Sequence, residues 1–226
     1  MFARTRTRIF GLLLLITVSL LLFGELARHP SIIYIFKPPA TILILLVSLA
    51  QWHRYRAPYA RYISIGLFFS FLGDLALIFP SRFFLLGLLF FLLAHIAYLV
   101  AFSRGLKFPT RPFIWLPYLT FGAALYAILF PNLPAELKIP VAFYALLLTS
   151  MAAQAMVRFI VFKNHPARSA AIGALLFMLS DSLLSLDRFH SSLPLAPAAI
   201  LIPYYLAQWF IALSTIRAVA TSPSTS

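Results

Sequence analysis

Eight apolar stretches, each close to the ~20 residues that a helix needs to cross a bilayer core, recur at about residues 9–27, 33–50, 61–79, 83–103, 112–130, 139–162, 168–186 and 195–216. No other feature constrains the fold as strongly. A backbone in hydrocarbon must satisfy its polar groups internally, and a helix does so within one segment. The joints, such as RHPS, HRYRAP, FPSR, RGLKFPTRP, PNLPAELK, KNHPAR and DRFHSSLP, carry the prolines and charges expected at an interface. They are too short to hold another domain. With 62% hydrophobic and 10% charged residues among 226, the composition fits no soluble core. The sequence therefore predicts an all-α polytopic membrane protein of eight transmembrane helices, forming one domain over residues 1–226.

Arg4, Arg6 and Arg8 before the first apolar run resemble the start of a signal peptide. That run is long, however, and GELARHP offers no small-x-small cleavage site, so a retained helix is expected. The chain has no cysteine, which excludes a disulfide framework, a thiolate nucleophile and a cysteine metal site.

The net charge of +13 invites a nucleic-acid reading, but its distribution argues against one. Arg4, Arg6, Arg8, Arg54, Arg56, Arg61, Arg104, Lys107, Arg111, Arg158, Lys163, Arg168 and Arg217 all fall on one side of an eight-span topology. The other side keeps only Arg28, Arg82, Lys138 and Arg188, with Lys37 at the mouth of helix 2. By the positive-inside rule both termini are cytoplasmic, and the basic side suits anionic lipid headgroups rather than nucleic acid. The expected location is a bacterial inner (cytoplasmic) membrane.

An internal repeat stands out next. IGLFFSFLGDLAL (Ile65 to Leu77) aligns without gaps on IGALLFMLSDSLL (Ile172 to Leu184), sharing Ile-Gly, a leucine, an aspartate and a final leucine. LAH at Leu93 to His95 then corresponds to LAQ at Leu206 to Gln208, and the preceding spans start with KPP at Lys37 and KIP at Lys138. This pattern predicts a 4+4 duplication with parallel halves, about 9–103 and 112–218, because an even number of spans separates them.

Asp74 and Asp181 occupy the same position in the two repeats, and the chain has only five acidic residues. A charge inside a membrane costs several kcal/mol, so an acid there signals a function or a partner. Each aspartate is expected about five residues, roughly 7–8 Å, short of the outer end of its helix. Related by a two-fold, they would aim at one cavity opening away from the cytoplasm. The alternative is that each caps a helix break or pairs with an arginine.

Other polar residues fall on the same frame. His95 is mid-helix, with Tyr98 one turn later on the same face. Gln208 takes the corresponding depth in the last helix, with Tyr204 one turn above it, and glutamine there can simply join helices by hydrogen bonding. Lys37 is suited either to contact a phosphate or to snorkel. Glu25 reads as a solvated helix end. No Gly-x-Ser-x-Gly elbow, His-Glu-x-x-His pair or phosphate-cradling glycine loop is present. The five histidines are scattered, and only His29 has an acid four residues away, Glu25, so neither a metal nor another cofactor is expected.

KPP, FSFLGDLAL, GLLFFLLAHIAYLVAF, GALLFMLSDSLLSLDRF and PYYLAQWFIALS, in that order, resemble the YhhN family of integral-membrane lysoplasmalogenases. The resemblance spans about residues 9–218. It implies hydrolysis of the vinyl ether of lysoplasmalogens to a fatty aldehyde and glycerophosphocholine or glycerophosphoethanolamine. It also implies Asp74 and Asp181 as the catalytic pair, with Lys37, His95, Tyr98, Ser180 and Gln208 around them; Tyr204 joins this set by its place one turn from Gln208. The substrate would be a membrane lysophospholipid, with its phosphate near Lys37, Arg82 or Arg188 and its chain among the phenylalanines of helices 3 and 4.

Vinyl ether hydrolysis needs a proton on carbon and a water to capture the resulting oxocarbenium ion. Two carboxyls in one pocket can divide these tasks, as they do in glycosidases. A transporter with parallel repeats would also hold matched acids mid-membrane as its ion site. An intramembrane aspartyl protease fits less well, because Phe71 stands where its Gly-x-Gly-Asp motif starts. The topology makes a direct prediction: Ser103→Cys and Ser191→Cys, introduced singly, are labelled from opposite sides of the membrane by an impermeant thiol reagent. Equal labelling of both from outside intact cells would overturn the helix count.

Overall fold

The computed structural model describes residues 2–106 and 111–216, and side chains from residue 8 onward. Lys107, Arg217 and the side chains of Arg4 and Arg6, all used in the charge argument, lie outside the described residues. Eight α-helices and no strand are found among the described residues: α1 (Phe2–Leu26), α2 (Pro30–Tyr55), α3 (Pro58–Ala76), α4 (Pro80–Ser103), α5 (Trp115–Leu129), α6 (Ala135–Phe162), α7 (His165–Phe189) and α8 (Ala196–Leu213). Short 3₁₀ turns at Pro112–Ile114 and Phe130–Asn132 extend the two ends of α5.

Proline sets most of the helix starts. Pro30, Pro58, Pro80, Pro166 and Pro197 all lie in the first two positions of a helix, where the missing N–H has no intrahelical partner to lose. Turns of two or three residues then reverse the chain between α2 and α3 and between α3 and α4, which makes sequential helices antiparallel neighbours.

Seven helices are long and apolar enough to cross a membrane, and α3 is the exception. This qualifies the expectation of eight equivalent spans, and the cause is visible in α3. Its buried stripe of Ala60, Ile63, Ser64, Leu67, Ser70 and Asp74 follows the three- and four-residue spacing of one helix face, and half of it is polar. Phe68 and Leu75 face outward instead. The helix thus turns Ser64, Ser70 and Asp74 to the interior while Phe68 and Leu75 face the surroundings. α1 and α5 show the lipid-facing extreme: Leu12, Leu15 and Phe23 of α1 and Leu116 and Ile128 of α5 are all exposed.

The packing makes a ring. α2, α3, α4, α6, α7 and α8 follow one another around it, and α8 closes it against α2. α1 lies outside on α2 and α8, and α5 lies outside on α6 and α7.

Two boundaries differ from expectation and change the site. α2 begins at Pro30, not near residue 33, so Lys37 lies two turns inside the helix rather than at its mouth. Pro38 and Pro39 do not start the helix; they sit within it, freeing only the carbonyls one turn earlier. The aspartates also differ in their distance from the helix ends. α3 stops at Ala76, just after Asp74, because the chain turns over Leu77 to Phe79 into Pro80. α7 runs two turns past Asp181 to Phe189, since no proline occurs before Pro194.

Glycines set the closest helix contacts. A Cβ at Gly66 of α3 would lie 2.3 Å from the Tyr98 ring of α4. A Cβ at Gly173 of α7 would lie 2.8 Å from the Ala207 carbonyl and 2.9 Å from the Ile211 nitrogen of α8. These are the two glycines that the repeat shares, and each admits the next helix of its own half. Small residues at such contacts are what allow membrane helices to approach. Gly173→Ala is therefore expected to destabilise the protein by about 1–3 kcal/mol, since the obstacle is backbone and cannot rotate away. Thermal unfolding in detergent reads this out, and a midpoint equal to the parent's would refute the close approach of α7 to α8.

Candidate active site

Asp74 is 3% exposed and sits where α2, α3 and α8 meet. Thr41 of α2 donates a hydrogen bond to its Oδ2, and Tyr204 of α8 donates to the same oxygen at 2.8 Å. Thr41 follows Lys37 by one helical turn on the inward face of α2. Lys37 is buried, with Nζ 3.5 Å from the Leu77 carbonyl oxygen, and its charge is within electrostatic reach of Asp74.

A chain of donors continues behind Tyr204. Gln208 Nε2 donates to the Tyr204 hydroxyl at 3.1 Å, and the Tyr98 hydroxyl donates to Gln208 Oε1 at 2.9 Å. The Tyr98 proton is thereby committed, so in the 3.2 Å contact between Ser70 and Tyr98 it is Ser70 that donates. Ser70, Tyr98, Gln208 and Tyr204 thus form one directed series whose every donor points toward Asp74. Three of the residues singled out from the sequence, Tyr98, Tyr204 and Gln208, belong to it.

Asp181 of α7 is held differently. Tyr144 of α6 donates to its Oδ2, and His95 Nε2 of α4 stands 3.6 Å from the same oxygen. His95 is fully buried, with its ring packed edge-on against Tyr144 at 5.0 Å and Phe177 at 4.9 Å. Neither ring nitrogen makes a hydrogen bond, so contact with Asp181 is the polar interaction open to it. Ser180, the neighbour of Asp181, donates to the Ile200 carbonyl of α8 at 2.9 Å and ties α7 to α8.

Among the described residues neither aspartate pairs with an arginine. Both line one cavity of about 370 Å³, within the range of small-molecule sites. Its wall also carries Lys37, Ser180, Tyr204, Glu25, Asp187 and Arg188. Four of the five acids of a strongly basic chain thus surround one space. Glu25 is part of that wall and not merely a solvated helix end. Asp187 accepts from the Leu193 N–H at 2.8 Å, and Arg188 lies over the Phe84 ring at 5.0 Å. Of the three cations expected near a phosphate, Lys37 and Arg188 reach the cavity; Arg82 stacks on Phe83 instead.

A second, apolar groove between α4 and α5 meets this cavity and shares Leu77, Phe84, Phe91, Asp181 and Leu184 with it. Asp181 is the only acidic residue on the groove. The arrangement offers two carboxyls on a polar space, each held by neutral hydroxyls, with one of them at an apolar boundary. Such a pair can supply a proton and accept one.

Thr41, Ser70 and Tyr144 were missed by the sequence reading. Thr41 was legible in principle, one turn from Lys37, but placing Lys37 at the mouth of helix 2 hid the relation. Nothing local marks Tyr144 among ten tyrosines.

Several known proteins are similar to this chain. Lysoplasmalogenase TMEM86B of Rattus norvegicus is 35% identical over 148 residues, covering 66% of this chain and 58% of the rat protein. Lysoplasmalogenase TMEM86A of Bos taurus is 34% identical over 165 residues, covering 71% and 67%. Lysoplasmalogenase TMEM86B of Homo sapiens is 33% identical over 159 residues, covering 70% and 65%. The chain thus spans less than two thirds of the rat and human relatives. No solved structure matches it. The model of the YhhN family matches residues 32–215, a range that holds both aspartates and every residue that bonds to them, and the chain accordingly belongs to the YhhN family.

Proposed function

We propose that the protein is a lysoplasmalogenase that hydrolyses the vinyl ether of lysoplasmenylcholine or lysoplasmenylethanolamine, with Asp74 and Asp181 as its acid and base. The observation that carries this reading is the convergence of both carboxyls on one cavity, each partnered by neutral hydroxyls. Kinship with proteins named lysoplasmalogenase supports the choice of reaction.

One carboxyl gives its proton to the alkenyl carbon remote from oxygen. The double-bond electrons form that C–H bond, and the positive charge is shared by the other carbon and the ether oxygen. Water then bonds to that carbon and yields a proton to the second carboxylate. The hemiacetal then collapses: its hydroxyl gives its proton to the first carboxylate as the C=O bond forms, the bond to the glycerol oxygen breaks, and that oxygen takes the proton held by the second carboxyl, giving a fatty aldehyde and a glycerophospho-alcohol. No redox partner is needed, and both carboxyls are back in their starting states at the end of one turnover. Lys37 and Arg188 give the phosphate its counter-charges, and Glu25 and Asp187 face the headgroup amine. The directed series ending at Tyr204 holds Asp74 in position.

The duplication of four helices, both termini in the cytoplasm of an inner membrane, and a single domain formed by the two halves belong to the same proposal. Its support is the ring order, which is unchanged when α2, α3 and α4 are exchanged with α6, α7 and α8, and the shared roles of Gly66 and Gly173.

Purified protein is expected to release aldehyde from lysoplasmalogen and none from the saturated ether analogue. Asp74→Asn and Asp181→Asn should each lower kcat more than tenfold, a barrier increase above about 1.4 kcal/mol, with thermal stability at or above the parent's. The double variant should lose little more than either single one, because the pair acts as a unit. A single variant that keeps parent activity removes that aspartate from the chemistry; variants that fail to fold assign both aspartates to structure.

The pH profile offers a separate check. The reaction needs one protonated and one ionised carboxyl, so kcat/KM should fall on both the acid and the alkaline side of an optimum. A flat profile between about pH 4 and 9, with chemistry limiting, would contradict paired carboxyl catalysis.

A further inference from the structure

The groove between α4 and α5 has no role in the hydrogen-bonded site, yet it ends on a reacting group. α5 rests on α6 and α7 and does not pack closely on α4. The space left between them is walled by Phe84, Leu88 and Phe91 on one side and Phe121 and Leu125 on the other, with Leu148 of α6 at its base. Its outer edge is apolar as well, because Phe121 of α5 both lines the groove and is exposed. The groove therefore communicates sideways with the surroundings of the bundle. Gly122 belongs to the same wall and approaches α6 so closely that a Cβ would lie 2.8 Å from Thr149 Cγ2.

We propose that this groove is the lateral portal and binding site for the hydrocarbon chain of a single-chain lipid, with the headgroup in the polar cavity and the first carbons of the chain beside Asp181. The inference rests on the lysoplasmalogenase reading and extends it. An amphipathic ligand needs an apolar and a polar compartment in continuity, and these two share Phe84, Phe91 and Asp181 at their junction. Burial of hydrocarbon is worth far less from lipid than from water, so the groove's task is registration of the chain rather than extraction. The chain runs between α4 and α5, against Phe84 and Phe91 of α4; no phenylalanine of α3 lines the groove.

Registration also divides the catalytic roles. The alkenyl carbon that takes the proton is on the chain side of the vinyl ether, and the ether oxygen is on the headgroup side. Asp181 borders both compartments while Asp74 borders only the polar one. Asp181 is thus the group that gives its proton to carbon, and Asp74 is the carboxylate that takes the proton of the attacking water.

The test compares a lysoplasmalogen of ordinary chain length with a soluble vinyl ether bearing the same glycerophosphocholine and a chain of a few carbons. In Leu125→Trp, which fills the groove from α5, the ratio of kcat/KM for the long substrate to that for the short one should fall at least about tenfold, as apolar pockets discriminate. Leu116→Trp, on the lipid-facing side of α5, should leave the ratio at the parent's value. A measurement free of folding effects uses the absence of cysteine: Leu88→Cys and Leu125→Cys together, bridged by a reducible bifunctional thiol reagent, should lose long-chain activity on bridging and regain it on reduction. Parent-like turnover of the long substrate while bridged, or an unchanged ratio in Leu125→Trp, would overturn the portal. Failure of the parent protein to cleave either vinyl ether would instead overturn the lysoplasmalogenase reading itself.

Discussion

The cost of placing a carboxylate among apolar helices governs this molecule. Asp74 is nearly inaccessible, and an unpartnered charge at such a site would be worth several kcal/mol against folding. The protein meets that demand with neutral donors drawn from three other helices. Thr41 and Tyr204 bond to the carboxylate directly, and Gln208, Tyr98 and Ser70 extend the series through α8, α4 and α3. Because each donor is fixed by the next, the network positions helices as well as the acid. Loss of any member leaves a buried polar group unpaired.

The ring architecture follows from the same demand. Polar groups have only the interior to occupy, so α3 turns Ser64, Ser70 and Asp74 inward, while α1 and α5 present leucine and phenylalanine outward. Close approach then depends on removing side chains. Gly66 and Gly173 do this at equivalent points of the two halves, against α4 and α8. Direct bonds between aspartate and hydroxyl require helices at this spacing.

The two aspartates are equivalent in sequence and unequal in surroundings. Asp74 closes a short helix and receives two hydroxyl donors beside Lys37. Asp181 lies mid-helix with Tyr144 and an otherwise unbonded His95, at the edge of an apolar groove. Two positions that align in sequence thus have different surroundings, a difference that the proposed amphipathic substrate would use.

The class of fold was legible in the sequence because hydropathy is a local property: any run of ~20 apolar residues makes a helix stable in lipid whatever its neighbours. Asp74, Asp181, His95 and Gln208 were visible for the related reason that a polar group is rare where it is costly. The start of α2 was not legible, since Pro38 and Pro39 mark a helix start and an internal irregularity with the same residues. Thr41 was hidden with it. Tyr144, the partner of Asp181, lies on a helix whose sequence has nothing to set that tyrosine apart. By itself the sequence determined the helices, their polar positions and the resemblance between the halves, all set by residues close in the chain. Only the tertiary structure decided which side chains meet, that both carboxyls share a cavity, and that one of them borders an apolar groove. These depend on helix rotation and spacing, which are settled by packing among residues far apart in the chain.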